Sequence, residues 1–185
     1  TFDGSITKRY GSSTADTLVV PDNVRGLQGT GGWAMFDFGA TNIRWLMVAA
    51  GTGIYASSNG GTSFVVAATT RTQSYQYFER SRNVCIATSQ ARDATLYWAG
   101  SVGTSFINLA VNSAPAAKYA INYQGFLILL NTADSNGAVR LRGFYYADDS
   151  LQLTNSWINF FELPSSADDE ITCAFILSKR LYIST

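Results

Sequence analysis

The chain has 185 residues and 20.1 kDa, with thirteen Lys and Arg against thirteen Asp and Glu, no histidine and 46% hydrophobic residues. That length suits one domain with a sizeable core, and the neutral balance leaves no basic field to gather nucleic acid or an anionic membrane. Without histidine the Ser/His/Asp and Cys/His nucleophiles and His-ligated zinc are excluded, and no apolar run approaches the roughly 18 residues of a membrane-spanning helix.

Taken in order, the elements read as strands throughout. Short runs rich in Val, Ile, Tyr, Phe and Trp recur between Gly, Ser, Asn and Asp clusters, and no long stretch keeps apolar residues at helical spacing. "KRYGSSTADTLVV", within residues 1–20, reads as two strands about a polar turn, from Tyr10 and Ser12 to Leu18. Residues 33–70 open with the hairpin "WAMFDFGATNIRWLMVAA" and close with "GIYASSNGGTSFVV". Residues 75–113 repeat the order as "YQYFERSRNVCIATS" and "LYWAGSVGTSFIN", and residues 117–163 as "KYAINYQGFLILLNT" and "FYYADDSLQLTNSWINF". The end, 171–185, holds only the hairpin "ITCAFILSKRLYIST".

Tyr55 and Tyr97, Gly61 and Gly103, Ser63 and Ser105, and Phe64 and Phe106 are related by a constant offset of 42, while Tyr146 and Trp157 take the same parts in the third copy with a longer turn. Units of about 42 residues holding four short strands predict a β-propeller of four-stranded antiparallel blades. The first 20 residues supply strands C and D, and 171–185 supply strands A and B. The reading is therefore a single four-bladed propeller with one blade built from both chain ends; the alternative is an open arc completed by further chain or a second copy. Pro21, Pro115 and Pro164 each follow a D strand, where no ladder donor is needed. Cys85 and Cys173 lie in apolar strand patterns and read as buried free thiols. A start at Thr1 and a strand-like end, "LYIST", lead to the expectation of a piece of a longer protein.

The turn Ser57-Ser58-Asn59-Gly60-Gly61-Thr62-Ser63-Phe64 resembles the Asp-box, or BNR, repeat of sialidase-like propellers, Ser-x-Asp-x-Gly-x-Thr-Trp, with Asn59 for the Asp and Phe64 for the Trp. The second copy keeps Ser101, Gly103, Ser105 and Phe106 but has Ala99 for the first Ser. Short polar side chains close such turns on nearby backbone N–H groups, and the aromatic packs beneath. The resemblance implies a peripheral folding device rather than sialidase activity.

Chemistry is sparse. Asp37, Asp93, Asp134, Glu79 and Glu162 offer carboxylates for a glycosidase pair, but Arg44, Arg71, Arg80, Arg82, Arg140 and Arg142 lack the Arg-Ile-Pro context of sialidases. No enzyme activity, cofactor or metal is expected. Asp148, Asp149, Asp168, Asp169 and Glu170 lack EF-hand spacing and read as solvated loops. Tyr119, Tyr123, Tyr145, Tyr146, Trp45 and Trp98 include candidates for a sugar-stacking surface, with Trp98 singled out, although alternation directs about half of such rings inward. Ala56, Trp98 and Ala147 follow the three strand-C tyrosines, a variation that argues against repeated ligand sites.

The texture of "KRYGSS", "GTGIYASSNGGTSF" and "RSRNVCIATS" resembles the propeller part of a tailed-phage nozzle or tail-tube protein. That implies a structural and interaction module in a virion, its partners the other subunits of the assembly, without sequence-specific nucleic acid contacts or a membrane span. The alternative is an extracellular carbohydrate-binding propeller with a glycan partner.

Overall fold

A computed structural model describes residues 33–37, 44–59, 62–81, 84–98, 105–109, 114–134, 136–148, 157–164 and 169–185, with side chains for all of these except 33–37, 44 and 148. The strands expected within residues 1–20 lie outside the described residues. Every regular element among the described residues is a β-strand apart from a single 3₁₀ residue, Leu109. Sheet 1 comprises β1 (Trp33–Asp37), β2 (Arg44–Ala50), β3 (Gly53–Ser57) and β4 (Val65–Ala68). Sheet 2 comprises β5 (Gln76–Ser81), β6 (Val84–Ser89), β7 (Leu96–Trp98) and β8 (Ile107–Asn108). Sheet 3 comprises β9 (Ala116–Tyr123), β10 (Phe126–Ala133), β11 (Val139–Asp148) and β12 (Asn159–Glu162), and β13 (Cys173–Leu177) with β14 (Arg180–Ser184) forms a C-terminal hairpin. Each sheet is antiparallel and keeps its strands in chain order.

The turns explain that order. Ser178 and Lys179 (φ 50° and 61°) and Gln124 and Gly125 (φ 50° and 84°) sit in the left-handed region at two-residue connections. That pair of positive angles gives a turn whose twist matches the strands it joins.

Register places the repeat tyrosines identically. Tyr55 faces Val48, Tyr97 faces Ile86 and Tyr146 faces Ile128 across the second and third strands. The first-strand partners in those rows are Trp33, Glu79 and Ile121. The 42-residue offset breaks one strand later: Tyr55 pairs with Val66 but Tyr97 with Ile107, and an irregularity between Ile54 and Tyr55 takes up the extra residue.

Three apolar cores lie between successive units. Trp45, Met47, Ile54 and Ala56 pack with Phe78, Cys85 and Trp98. Ile86 and Val84 pack with Leu127, Leu129 and Trp157. Ile121, Ile128 and Leu130 pack with Ile171, Leu181 and Ile183. The first strands β1, β5, β9 and β13 lie beside one another in that order. Sheets 2 and 3 and the hairpin meet through non-equivalent faces, the Ile86 and Ile128 rows each packing on the opposite face of the next unit. The first junction differs, because sheet 1 presents Met47 and Ala56 to Trp98 rather than the Val48 and Tyr55 face that the repeat would place there. At this junction the Trp45 ring meets Trp98 edge-on, with centroids 4.5 Å apart.

Candidate functional site

The turn after β3 is held by Asn59. Its Oδ1 accepts from the Ser57 hydroxyl (2.8 Å) and the Ser63 N–H (3.0 Å), its Nδ2 donates to Ser63 Oγ (2.8 Å), and its carbonyl accepts from Thr62 Oγ1 (3.1 Å). One short side chain thus ties both limbs of the loop. Asn59→Ala is expected to lower stability by about 1 kcal/mol, read as a shift of the urea midpoint at constant slope. Gly61, Ser101 and Gly103 lie outside the described residues, as do Tyr10 and Ser12. Of the turn aromatics, Phe106 and Trp157 are buried in the cores before their own sheets, and Phe64 is half-buried.

Trp98 corrects the sequence reading. It is 1% exposed, edge-on to Trp45 and stacked at 6.1 Å on Phe106, so it has no face to offer a ligand. Strand alternation could not show this, since β6 and β7 are covered on both sides. Cys85 is buried, but Cys173 is exposed, and both thiols are free.

Glu170 lies in a loop with its side chain 39% exposed and is bonded there. Lys118 Nζ donates to its Oε1 (3.1 Å), and Asn131 Nδ2 to its Oε2 (3.4 Å). Arg92 Nη2 lies 3.7 Å from Oε2, and Arg92 Nε donates to Asn131 Oδ1 (2.9 Å). Lys118 first, then Asn131 and Arg92, hold the Glu170 carboxyl below its ordinary range. A parallel clamp ties sheet 1 to sheet 2: buried Arg71 donates to Gln76 Oε1 (2.9 Å) and the Ala94 carbonyl (2.6 Å), and Asp93 accepts from the Thr72 hydroxyl (2.6 Å) and N–H (3.0 Å). Asp134 closes its own loop on the Asn136 and Ala138 N–H groups, both at 2.9 Å, and Glu162 pairs with Arg142 at 3.4 Å. These carboxylates are each bound to local partners and do not form a facing pair. Among the described residues no group of three or more His, Cys, Asp or Glu is placed to hold a metal, and no helix is long and apolar enough to cross a membrane.

One carboxyl stands apart. Glu79 lines a cavity of about 260 Å³ with Tyr77 on β5, Thr88 on β6, Tyr119 on β9 and Cys173 on β13. The Tyr77 and Tyr119 rings lie 5.1 Å apart at a 54° tilt. Burial pushes the Glu79 carboxyl up to about 7, against backbone N–H donors from Asn122 and Arg80 that pull the other way. Between the ordinary 4.5 and about 7 the folded protein keeps a proton that the unfolded chain has released. Stability is therefore greatest below that window and falls as pH rises through it, by at most about 3 kcal/mol. Urea denaturation across the window should show this slope, and Glu79→Gln should flatten it. Asp93, raised by burial but lowered further by Thr72 and Arg71, acts below the window, losing its contribution as pH falls through its depressed value.

A larger groove of about 440 Å³ separates β4 from the β6–β7 loop and is lined by Arg71, Asp93, Leu96 and Phe106. Neither cavity was visible in the sequence, since each joins residues from separate sheets. The one signal available was a carboxylate in the run "YQYFERS", where neighbouring copies carry an apolar residue. Comparison of the chain with protein-family models, with curated proteins and with solved structures gives no match.

Proposed function

We propose that the chain is a non-enzymatic structural and interaction module whose four-strand units are propeller blades, in a nozzle-like part of a phage tail. The supporting observation is where apolar surface stays open. The outer strands carry Val65, Val66, Ile107, Phe160 and Phe161, all exposed, and the hairpin face away from sheet 3 carries Phe175, Leu177 and Tyr182, with Leu177 at 57% and Phe161 at 51%. Exposed apolar side chains repeated on edge strands suit permanent contacts with other subunits, where they are covered on assembly. The burial of Trp98 takes one ring, the one singled out, from the sugar-binding alternative; Tyr119, Tyr123, Tyr145 and Tyr146 are half-buried.

The β13–β14 hairpin lacks third and fourth strands among the described residues, and residues 1–20 have the sequence pattern to supply them. Closure of the blade by this segment would set Tyr10 opposite Tyr182, as Tyr97 stands opposite Ile86. A disulfide between Tyr10→Cys and Tyr182→Cys, made in a Cys85→Ser, Cys173→Ser background, should then form within one chain, because directly opposed residues bring their Cα atoms within about 5.5 Å. Only intermolecular bridges would assign the closure to a second copy, and no bridge at all would remove it. A ring of four equivalent blades also requires the Val48 and Tyr55 face of sheet 1 to meet Trp98, which is where ring symmetry and the observed first junction differ. The assembly itself is tested by particle reconstruction: density for the chain at the portal-distal end of a tail supports it, and absence of the chain from particles ends it.

A further inference from the structure

Glu79 occupies a position that the fold otherwise fills with large apolar side chains. Its row partners in sheets 1 and 3 are Trp33 and Ile121, and counting back from the hairpin turn gives Phe175. A carboxyl at such a place breaks the local apolar pattern, although the backbone N–H groups of Asn122 on β9 and of Arg80 bond it there, and such breaks concentrate at functional sites.

The surroundings specify what it would take. Among the described residues Glu79 has no ion-pair partner. Lys118 on the adjoining strand is bonded to Glu170 at 3.1 Å, and Arg92 is bonded to Asn131. The cavity wall adds the phenol rings of Tyr77 and Tyr119, whose hydroxyls bond each other; Lys118 Nζ lies 5.4 Å over the Tyr119 ring, and the faces of such rings attract cations. At about 260 Å³ the space is smaller than the pockets of drug-sized ligands and fits a single headgroup on a short stem. One carboxylate and one thiol are too few hard ligands for a divalent metal.

We propose that this cavity binds a primary alkylammonium group, with the Glu79 carboxylate as counter-ion and the Tyr77 and Tyr119 rings and hydroxyls around the charge. The ammonium N–H donors find an acceptor in the Glu79 carboxylate, while Ala120 and Ala174 line the same cavity for the stem. Besides Glu79, the charged and titratable groups on the packed elements are Tyr77 and Arg80 on β5, Cys85 on β6, Lys118, Tyr119 and Tyr123 on β9, and Cys173 on β13. Alkylammonium stays charged across the neutral range, so binding strengthens as Glu79 loses its proton, and bound ammonium draws that proton off at lower pH. The proposal needs neither ring closure nor a virion.

The test is titration of the whole chain with n-butylammonium and, as a neutral isostere, n-butanol. Saturable binding of the amine at about pH 8, at least about tenfold tighter than the alcohol, is expected, with the preference lost at about pH 5.5 and in Glu79→Gln. Glu79→Gln is checked for folding by circular dichroism, and the wild-type pH series gives the same readout without any substitution. Equal affinity for amine and alcohol, no saturation, or a preference that survives Glu79→Gln overturns the proposal. Nα-acetyl-lysine methylamide separates two sources of the same chemistry. Binding equal to butylammonium assigns the site to a lysine of a partner chain, and exclusion of the peptide form assigns it to a free small amine; either outcome upholds ammonium recognition.

Discussion

Trp98→Ala lowers the free energy of unfolding by about 3–5 kcal/mol, measured by urea denaturation. Its ring is 1% exposed and bridges two sheets, touching Trp45 from sheet 1 and Phe106 from its own. Walls drawn from two separate sheets cannot collapse into the space together, so the cavity term adds to the lost transfer energy. Trp98→Phe keeps an aromatic body and should cost about half as much. Trp45 supplies the contrast: its Nε1 is buried without a hydrogen-bond partner, so Trp45→Phe removes an unsatisfied donor along with the ring volume. That substitution should cost about 1 kcal/mol or less. A loss below about 1 kcal/mol for Trp98→Ala would mean that the ring lies outside the core in solution.

What could be read from the chain was whatever is local. Tyr55, Tyr97 and Tyr146 each stand opposite an aliphatic residue of the second strand although the connections to it differ in length, so what is local is the strand pattern on either side of each turn. The antiparallel order of strands within each sheet follows from the same short connections. Which face meets the next sheet is not local. Sheet 1 turns its Trp45 and Met47 face to Trp98, and no periodicity in "IRWLMVAA" distinguishes that face from the other. β6 shows why: all six of its residues are buried, so alternation, the signal that normally separates inside from outside, is absent. Glu79 and Glu170 were hidden for a related reason. Lys118 lies 52 residues from Glu170 in sequence, and the cavity at Glu79 exists only where β5, β9 and β13 converge.

Asn131 is where that long-range bonding concentrates, and Asn131→Ala should lower stability by about 3–5 kcal/mol. The side chain is fully buried at an irregularity in β10, between Leu130 and Thr132, with φ at 52°. Its Oδ1 takes the Arg92 guanidinium, and its Nδ2 reaches the Ile171 carbonyl at 3.0 Å and Glu170 at 3.4 Å. Removing the amide leaves a guanidinium and a buried carbonyl short of partners, each costing about 1–3 kcal/mol, and forces alanine into a left-handed angle that Asn tolerates better. The sum falls short of full additivity because Arg92 can turn further toward Glu170, 3.7 Å away. Asn131→Gly separates the two causes: it relieves the backbone but not the bonds, so it should lie about 1 kcal/mol above the alanine variant. A double-mutant cycle with Glu170→Gln should then show a coupling of about 1 kcal/mol, since the two side chains share Arg92. Independent, additive losses would mean that Asn131 and Glu170 are not coupled through Arg92.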